Sequence, residues 1–125
     1  MNGAARPPRL PTVDRGALTA EQRRVHDLIA AGPRGEVVGP LRVWLASPGL
    51  AERAQALGQY ARYDSVLPQR LTELAILVTA RIWSSGFEWA THAPIALDAG
   101  VPADVVEAIG LGRFTILPDD EAQAV

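Results

Sequence analysis

Cysteine and lysine are both missing from this sequence of 125 residues. Without cysteine the chain forms no disulfide, offers no thiolate nucleophile and has no sulfur ligand for a metal ion. Its two histidines, His26 and His92, are far apart in the sequence and do not form the pair at helical spacing that is typical of a metal site. A bound metal would have to rest on carboxylates, which is a weak signal, and we expect no metal and no other cofactor.

Long apolar runs and clustered basic charge are also missing. All twelve basic residues are scattered arginines, and the net charge is −2, whereas nucleic-acid-binding proteins concentrate basic residues on one face. The longest apolar run, residues 74–78, is far shorter than the roughly 20 residues of a membrane-spanning helix. The first residues lack the apolar core of a signal peptide. We expect no nucleic acid partner, no membrane partner and a cytoplasmic location.

Composition predicts one globular domain preceded by an arm. Hydrophobic residues make up 48% of the chain and charged residues 21%, which is close to the globular average. Residues 1–17 are rich in proline, glycine and arginine and are predicted to form an extended N-terminal arm, with the domain over residues 18–125. Residues 118–121 resemble a helix opening, yet the chain ends about one turn later. Either the domain is truncated at its C-terminus or its last helix is dispensable.

Apolar periodicity and capping residues predict three helices in the first half of the chain. Thr19 and Gln22 form a capping box that starts the first. The short apolar segment at residues 41–45 is predicted to be a helix, because no convincing partner strand exists for it. Ser47 and Pro48 begin the third helix, which is expected to end near residue 64. Its predicted apolar face contains Leu50, Ala54, Leu57 and Ala61.

The second half of the chain is predicted to contain three more helices, making an all-α fold of about six helices. Pro68 opens the fourth helix, whose apolar side is expected to contain Leu71, Leu74, Ala75, Val78 and Ile82. A break at residues 84–86 is short enough to give a central antiparallel helix pair. The fifth helix is expected to begin at Phe87, to kink at Pro94 and to end at Gly100. The last carries Val105, Val106 and Ile109 on its apolar side.

Three ionisable residues lie among aliphatic and aromatic neighbours on this helix pair. Glu88 and His92 are four residues apart and so share a helix face, and Glu73 is expected at a similar height on the preceding helix. A carboxylate beside an imidazole fixes its tautomer and suits proton transfer. Alternatively, Glu73, Glu88 and His92 only tie two helices together. The sequence alone leaves both interpretations open.

The segments LTELAILVTARIW and FEWATHAPIALDAGVPADVVEAI resemble the carboxymuconolactone decarboxylase family of the alkyl hydroperoxidase D-like superfamily. The preceding segment GPRGEVVGPLRVWLASPGLAERAQALGQYARY is similar to the family's approach to that core. The resemblance covers roughly residues 18–112. It implies an alkyl hydroperoxidase D-like helical fold and association of identical subunits into a trimer, a hexamer or a dimer.

Redox members of this superfamily carry a glutamate, a Cys-x-x-Cys pair and a histidine four residues after the second cysteine. By this resemblance the glutamate matches Glu73 and the histidine matches His92, while the two cysteine positions hold Ser85 and Glu88. Peroxidase chemistry requires both thiols, so this chain is not expected to be a thiol peroxidase. It is closer to the decarboxylase branch, which lacks the thiol pair.

The resemblance to that branch implies a cofactor-free decarboxylase, a lyase acting on a carboxylated lactone or a related aromatic ring-cleavage acid. Such a reaction requires an apolar pocket, a cation that orients the substrate acid and a proton donor. We expect His92 to donate the proton, oriented by Glu73 or Glu88. The residues expected to bind the substrate are Arg81, Arg42, Trp83 and Trp89. The alternative is a non-catalytic helical oligomer or ligand-binding protein.

Overall fold

The computed structural model describes residues 13–114, which form six α-helices and no strand. A 3-10 turn at Arg15–Ala17 precedes the first helix, and a π-helical turn at Tyr60–Asp64 follows the third. The predicted all-α class is confirmed. Most of the expected N-terminal arm and the helix opening at residues 118–121 lie outside the described residues. The helices are α1 (Ala20–Ala31), α2 (Pro40–Trp44), α3 (Pro48–Gln59), α4 (Gln69–Ile82), α5 (Gly86–Asp98) and α6 (Ala103–Gly110).

The chain divides into two compact units, Met1–Gln59 and Tyr60–Val125. The first unit contains α1 to α3, and the second contains the π-helical turn and α4 to α6. Each unit has a hydrophobic cluster of its own. The expected domain boundary at residue 18 stays a prediction.

In the first unit, the predicted capping box at the start of α1 is confirmed. The Thr19 hydroxyl accepts the backbone N–H of Gln22, and the Gln22 side-chain oxygen accepts the backbone N–H of Thr19. These two bonds satisfy amides that would otherwise lack a partner at the helix start. Of the segment at residues 41–45, which was expected to be a helix, residues 41–44 belong to α2 and Leu45 caps its C-terminus. The buried cluster of this unit consists of Val25, Ile29, Leu41, Leu45 and Ala51.

The predicted apolar face of α3 is wrong. Leu50 and Leu57 are exposed, whereas Ala51 and Gln55 are buried. This helix is rich in alanine, so two neighbouring faces fit a 3.6-residue period equally well. The small Ala51 side chain belongs to the buried cluster of the unit, and α3 packs against α1. The face of α3 that is buried is therefore the one whose small side chains allow α1 to approach closely. The hydrophobicity of the individual residues does not predict that face.

The second unit is built on the antiparallel pair of α4 and α5, as predicted. Three residues connect the helices, and Ser84 has a positive φ of 53°. In this conformation the backbone N–H of Ser84 bonds to the carbonyl of Arg81, and that of Ser85 bonds to the carbonyl of Ala80. These two bonds close the end of α4 in a Schellman motif. Helix α5 begins at Gly86, one residue before the expected start.

The ends of α5 follow from its sequence. Its C-terminus is closed by Gly100, with φ 93°, and the N–H of Val101 bonds to the carbonyl of Ala96. Glycine adopts this conformation without steric cost, so the predicted end is confirmed. Pro94 lies inside α5, which is continuous from Gly86 to Asp98. The kink expected at Pro94 stays a prediction.

The buried cluster of this unit joins α4, α5 and α6. The expected apolar side of α6 is confirmed, because Val105, Val106 and Ile109 are all buried. The expected side of α4 is wrong at Ile82, which is 61% exposed, and Leu77 and Ala80 are buried instead. Because α4 is apolar on most of its circumference, its pattern does not select one face. The cluster comprises Leu71, Leu74, Leu77, Ala96, Val101, Val105, Val106 and Ile109.

Candidate functional site

Glu73 is the buried centre of the site. Its carboxylate lies on α4 within the second unit and is 0% exposed. Oε2 lies 2.6 Å from Nδ1 of His92, and Oε1 accepts a hydrogen bond of 3.1 Å from Nε of Arg62. A buried charge is costly unless it is paired and hydrogen-bonded, and Glu73 has a partner at each oxygen. The structure thus brings Glu73 and His92 together, as their predicted heights on the helix pair suggested.

His92 connects Glu73 to Glu88. It lies on α5, and its side chain is only 8% exposed. An ionised carboxylate only accepts hydrogen bonds, so the contact between Oε2 of Glu73 and Nδ1 of His92 favours the tautomer that carries its proton on Nδ1. The other ring nitrogen, Nε2, lies 3.4 Å from Oε2 of Glu88, and the two form an ion pair when His92 is protonated. All three residues predicted to be catalytic therefore form one connected cluster.

Arg62 is the member of this cluster that the sequence analysis missed. It lies in the π-helical turn at Tyr60–Asp64, and its guanidinium carbon is 5.0 Å from the centre of the Tyr63 ring. Its side chain is mostly buried beside Glu73. The available signal was indirect: a glutamate inside an apolar helix needs a cation, but the spacing does not tell which arginine supplies it.

The start of α5 leaves the Glu88 carboxylate available to His92. Ser85 and Glu88 have the spacing of a capping box, and the Ser85 hydroxyl accepts the N–H of Glu88 at 3.4 Å. The reciprocal bond would use the N–H of Ser85, but that group bonds to the carbonyl of Ala80 at the end of α4. The N–H of Ser85, which a capping glutamate would otherwise accept, is therefore already used within the α4–α5 turn. Glu88 lies in the first turn of α5, where the helix dipole favours negative charge.

A groove of about 470 Å³ lies between α4 and the start of α5, and Glu88 is its only charged lining residue among those that the structure describes. Below it is called the Glu88 groove. Trp83 at its rim is 79% exposed, so this predicted substrate-binding residue is accessible. Ser85 also lines the groove. Ser85 and Glu88, which the resemblance places at the thiol positions of redox members, therefore both line this groove. The lining residues are Ala75, Ile76, Thr79, Ala80, Trp83, Ser85 and Glu88.

A second cavity, of about 330 Å³, shares Ala80 and Ser85 with the Glu88 groove. Below it is called the Arg81 cavity. Arg81 and Trp89, two predicted substrate-binding residues, line it together. Nε of Arg81 donates a 2.9 Å hydrogen bond to the carbonyl of Gly110 at the end of α6, which anchors the guanidinium. The other lining residues are Ser84, Gly86 and Gly110.

Arg42 is the predicted site residue that belongs to the other unit. It lies on α2, within Met1–Gln59, and is partly exposed. The Glu73 cluster and both cavities consist of residues of the second unit. A role for Arg42 in orienting a substrate acid stays a prediction.

The described residues were also compared with the requirements of a metal site and of a membrane-spanning helix. Between residues 13 and 114, no three His, Asp or Glu side chains are grouped in a way that could hold a metal ion. Over the same residues, no helix is both long and apolar enough to cross a membrane.

Fold and site together define an all-α protein with a buried carboxylate–imidazole pair beside an apolar groove. The model of the carboxymuconolactone decarboxylase family matches residues 48–117, which is more than half of the chain. The chain belongs to that family, and its helices form the alkyl hydroperoxidase D-like fold that the sequence led us to expect. No significant match is found among curated proteins or among solved structures.

Proposed function

We propose that this chain is a cofactor-free carboxy-lyase that acts on a carboxylated lactone or a related aromatic ring-cleavage acid. The observation that carries the proposal is the buried contact of Glu73 with His92, continued through Glu88 to an apolar groove. Membership of the carboxymuconolactone decarboxylase family supports the same reaction class. The proposal includes a cytoplasmic location, which fractionation of cells that express a tagged chain would test.

The proposed reaction breaks the bond between a ring carbon and its carboxylate. Carbon dioxide leaves, the electron pair is delocalised into the lactone carbonyl, and a proton is then delivered to the carbon. An apolar groove favours loss of the carboxylate charge because the charged reactant is poorly solvated there. Ala75, Ile76, Ala80 and Trp83 supply such apolar walls.

Proton delivery is assigned to His92 and Glu88 acting in sequence. The initial expectation made His92 the direct donor, but its ring is largely buried and Glu88 is the member that lines the groove. We therefore assign contact with the substrate carbon to Glu88 and supply of the proton to His92 Nε2. In this proposal Arg81 holds a second acidic group of the substrate and Trp89 packs against its ring, since both line the adjoining cavity.

The test compares His92→Ala with His26→Ala, because these are the two histidines of the chain. Wild type is incubated with a panel of carboxylated lactones, and carbon dioxide release is measured. We expect His92→Ala to lower turnover at least about 100-fold, the usual contribution of a general acid, with helicity retained by circular dichroism. His26→Ala should turn over like wild type.

Two outcomes would contradict the proposal. If wild type turns over none of the panel, the decarboxylase assignment fails and the non-catalytic alternative gains support. If both histidine variants retain full turnover, His92 is not part of the mechanism. In the non-catalytic alternative, His92→Ala lowers only the melting temperature, because the cluster then serves to connect α4, α5 and the π-helical turn.

We also propose that the chain forms a homo-oligomer, a trimer, hexamer or dimer, through the turn between α4 and α5. Ile82, Trp83 and Phe87 are all more than half exposed, and they are close in sequence at this turn. Contiguous exposed apolar surface is typical of an interaction site. A partner subunit over Trp83 would also cover one rim of the Glu88 groove and reduce its contact with water.

A further inference from the structure

The four residues of the cluster form two pairs, Arg62 with Glu73 and His92 with Glu88. Arg62 carries a positive charge and contacts Oε1 of Glu73, which carries a negative charge. These two charges compensate each other. His92 and Glu88 remain, and their facing atoms are Nε2 and Oε2 at 3.4 Å. At the groove end of the cluster, Nε2 of His92 and Oε2 of Glu88 are therefore the two atoms placed to exchange a proton.

The two carboxylate oxygens of Glu73 have different partners, Arg62 and His92. The Arg62 contact uses Oε1 and the His92 contact uses Oε2, so each partner has an oxygen of its own. Without Arg62, the buried carboxylate would face His92 as its only charge partner in the cluster. Either His92 would then bind a second proton to compensate Glu73, or Glu73 would itself become protonated and donate to Nδ1. Both alternatives change the proton that His92 presents to Glu88.

We propose that Arg62 is a positioning residue that fixes His92 in its Nδ1–H tautomer, so that Nε2 and Glu88 share a single exchangeable proton. Arg62 acts through Glu73. Its place in the π-helical turn gives the arrangement a structural basis, because single π-helical turns are frequent at functional sites. The catalytic meaning of this assignment rests on the proposed function, but the proton states of His92 are independent of any substrate.

The test is nitrogen-15 NMR of the His92 ring in the full chain without ligand. A His26→Gln background leaves His92 as the sole imidazole, so its two ring nitrogens are assigned without ambiguity. In this background we expect the Nδ1–H tautomer in the neutral form. Observation of the Nε2–H tautomer would overturn the proposal before any arginine is changed.

The variants Arg62→Gln, Arg62→Lys and Arg113→Gln are then compared at one fixed pH. Arg113 is exposed in the same unit and serves as the matched loss of a positive charge. For Arg62→Gln we expect either a rise of about tenfold in the ratio of imidazolium to neutral imidazole or a change to the Nε2–H tautomer. Arg62→Lys keeps the charge and should restore most of the original pattern, and Arg113→Gln should leave it unchanged.

An Arg62→Gln spectrum identical to that of the background would overturn the proposal, as would equal effects of Arg62→Gln and Arg113→Gln. If Arg62→Gln does not fold, Arg62→Lys decides, because a lysine spectrum that departs from the background by as much as tenfold contradicts a role based on charge. Failure of the decarboxylase assignment would appear only as absence of turnover. The NMR result would still stand in that case, so the two failures are distinguishable.

Discussion

At the residue scale, the site was partly predictable from the sequence, and the partners of Glu73 show which part. A glutamate within an apolar helix and a Glu88–His92 pair at four-residue spacing were visible in the sequence, and the helix hairpin brought Glu73 and His92 into contact. Arg62 was not predictable. It reaches Glu73 from a π-helical turn, and a 3.6-residue period does not describe the direction of side chains in such a turn.

Replacement of Glu73 tests how strongly the cluster holds the second unit together. Glu73→Gln removes the charge that faces Arg62 and should lower the free energy of unfolding by about 3 kcal/mol, because one member of a buried pair is left uncompensated. Urea unfolding followed by circular dichroism measures the loss. Glu107→Gln, an exposed position on α6, is the control and should change the free energy by less than about 0.5 kcal/mol. Equal effects of both variants would show that the charge of Glu73 contributes little to the stability of the second unit.

Ser84 offers a second test at this scale, because it adopts a conformation that favours glycine. Its φ is 53°, and a non-glycine residue there carries a steric cost of about 1 kcal/mol. Ser84→Gly should therefore stabilise the protein by about 1 kcal/mol, which thermal unfolding would detect as a higher melting temperature. Ser84→Ala retains a Cβ and should give no such gain. A lower melting temperature for Ser84→Gly would indicate that the Ser84 side chain stabilises the fold by more than the strained backbone conformation destabilises it.

At the element scale, helix ends were predictable and helix faces were not. The capping box of α1 and the glycine that closes α5 depend on one or two residues each, so local sequence is sufficient. The buried faces of α3 and α4 depend on which neighbour packs against them. Leu57 and Ile82 are both exposed although each continues an apolar stripe. Tertiary packing selected among several faces of nearly equal hydrophobicity.

The ion pairs on α1 predict a pH dependence in the first unit. Arg15 lowers the pKa of Asp27 to about 2 from 3.8, and Arg24 lowers the pKa of Glu21 and of Glu52 on α3. A carboxyl group with a lowered pKa stabilises the fold above its unfolded pKa and loses that contribution as the pH falls through the folded value. For Asp27 the loss falls between about pH 3.8 and about pH 2.

Asp27→Asn checks this expectation. At neutral pH and low salt, wild type should melt at most a few degrees above the variant, since exposed ion pairs contribute little. The difference should vanish as the pH approaches 2, and roughly 0.5 M NaCl should reduce it at neutral pH by screening. A difference that persists at pH 2 would mean that Asp27 stabilises the helix other than by its charge.

At the scale of the whole molecule, the exposed apolar side chains at the α4–α5 turn argue for association of identical chains. Core packing of the second unit is already provided by the buried cluster of α4, α5 and α6, so Ile82 and Trp83 do not serve it. Exposure of two such large apolar side chains is unfavourable unless another surface covers them. Trp83 and Ser85 of the same turn line the Glu88 groove, so the proposed assembly would also restrict access to the groove.

The double variant Ile82→Ser, Trp83→Ser tests this connection by sedimentation equilibrium. We expect the oligomer of wild type to dissociate at least about tenfold more readily in the variant, because central aromatic residues contribute most to such interfaces. Leu111→Ser, which removes an exposed apolar side chain beyond the end of α6 in the same unit, is the matched control and should leave the association unchanged. A monomeric wild type would refute the oligomer outright. An oligomer unaffected by the double variant would place the interface elsewhere and leave the Glu88 groove open to solvent, which weakens the argument that the site excludes water during decarboxylation.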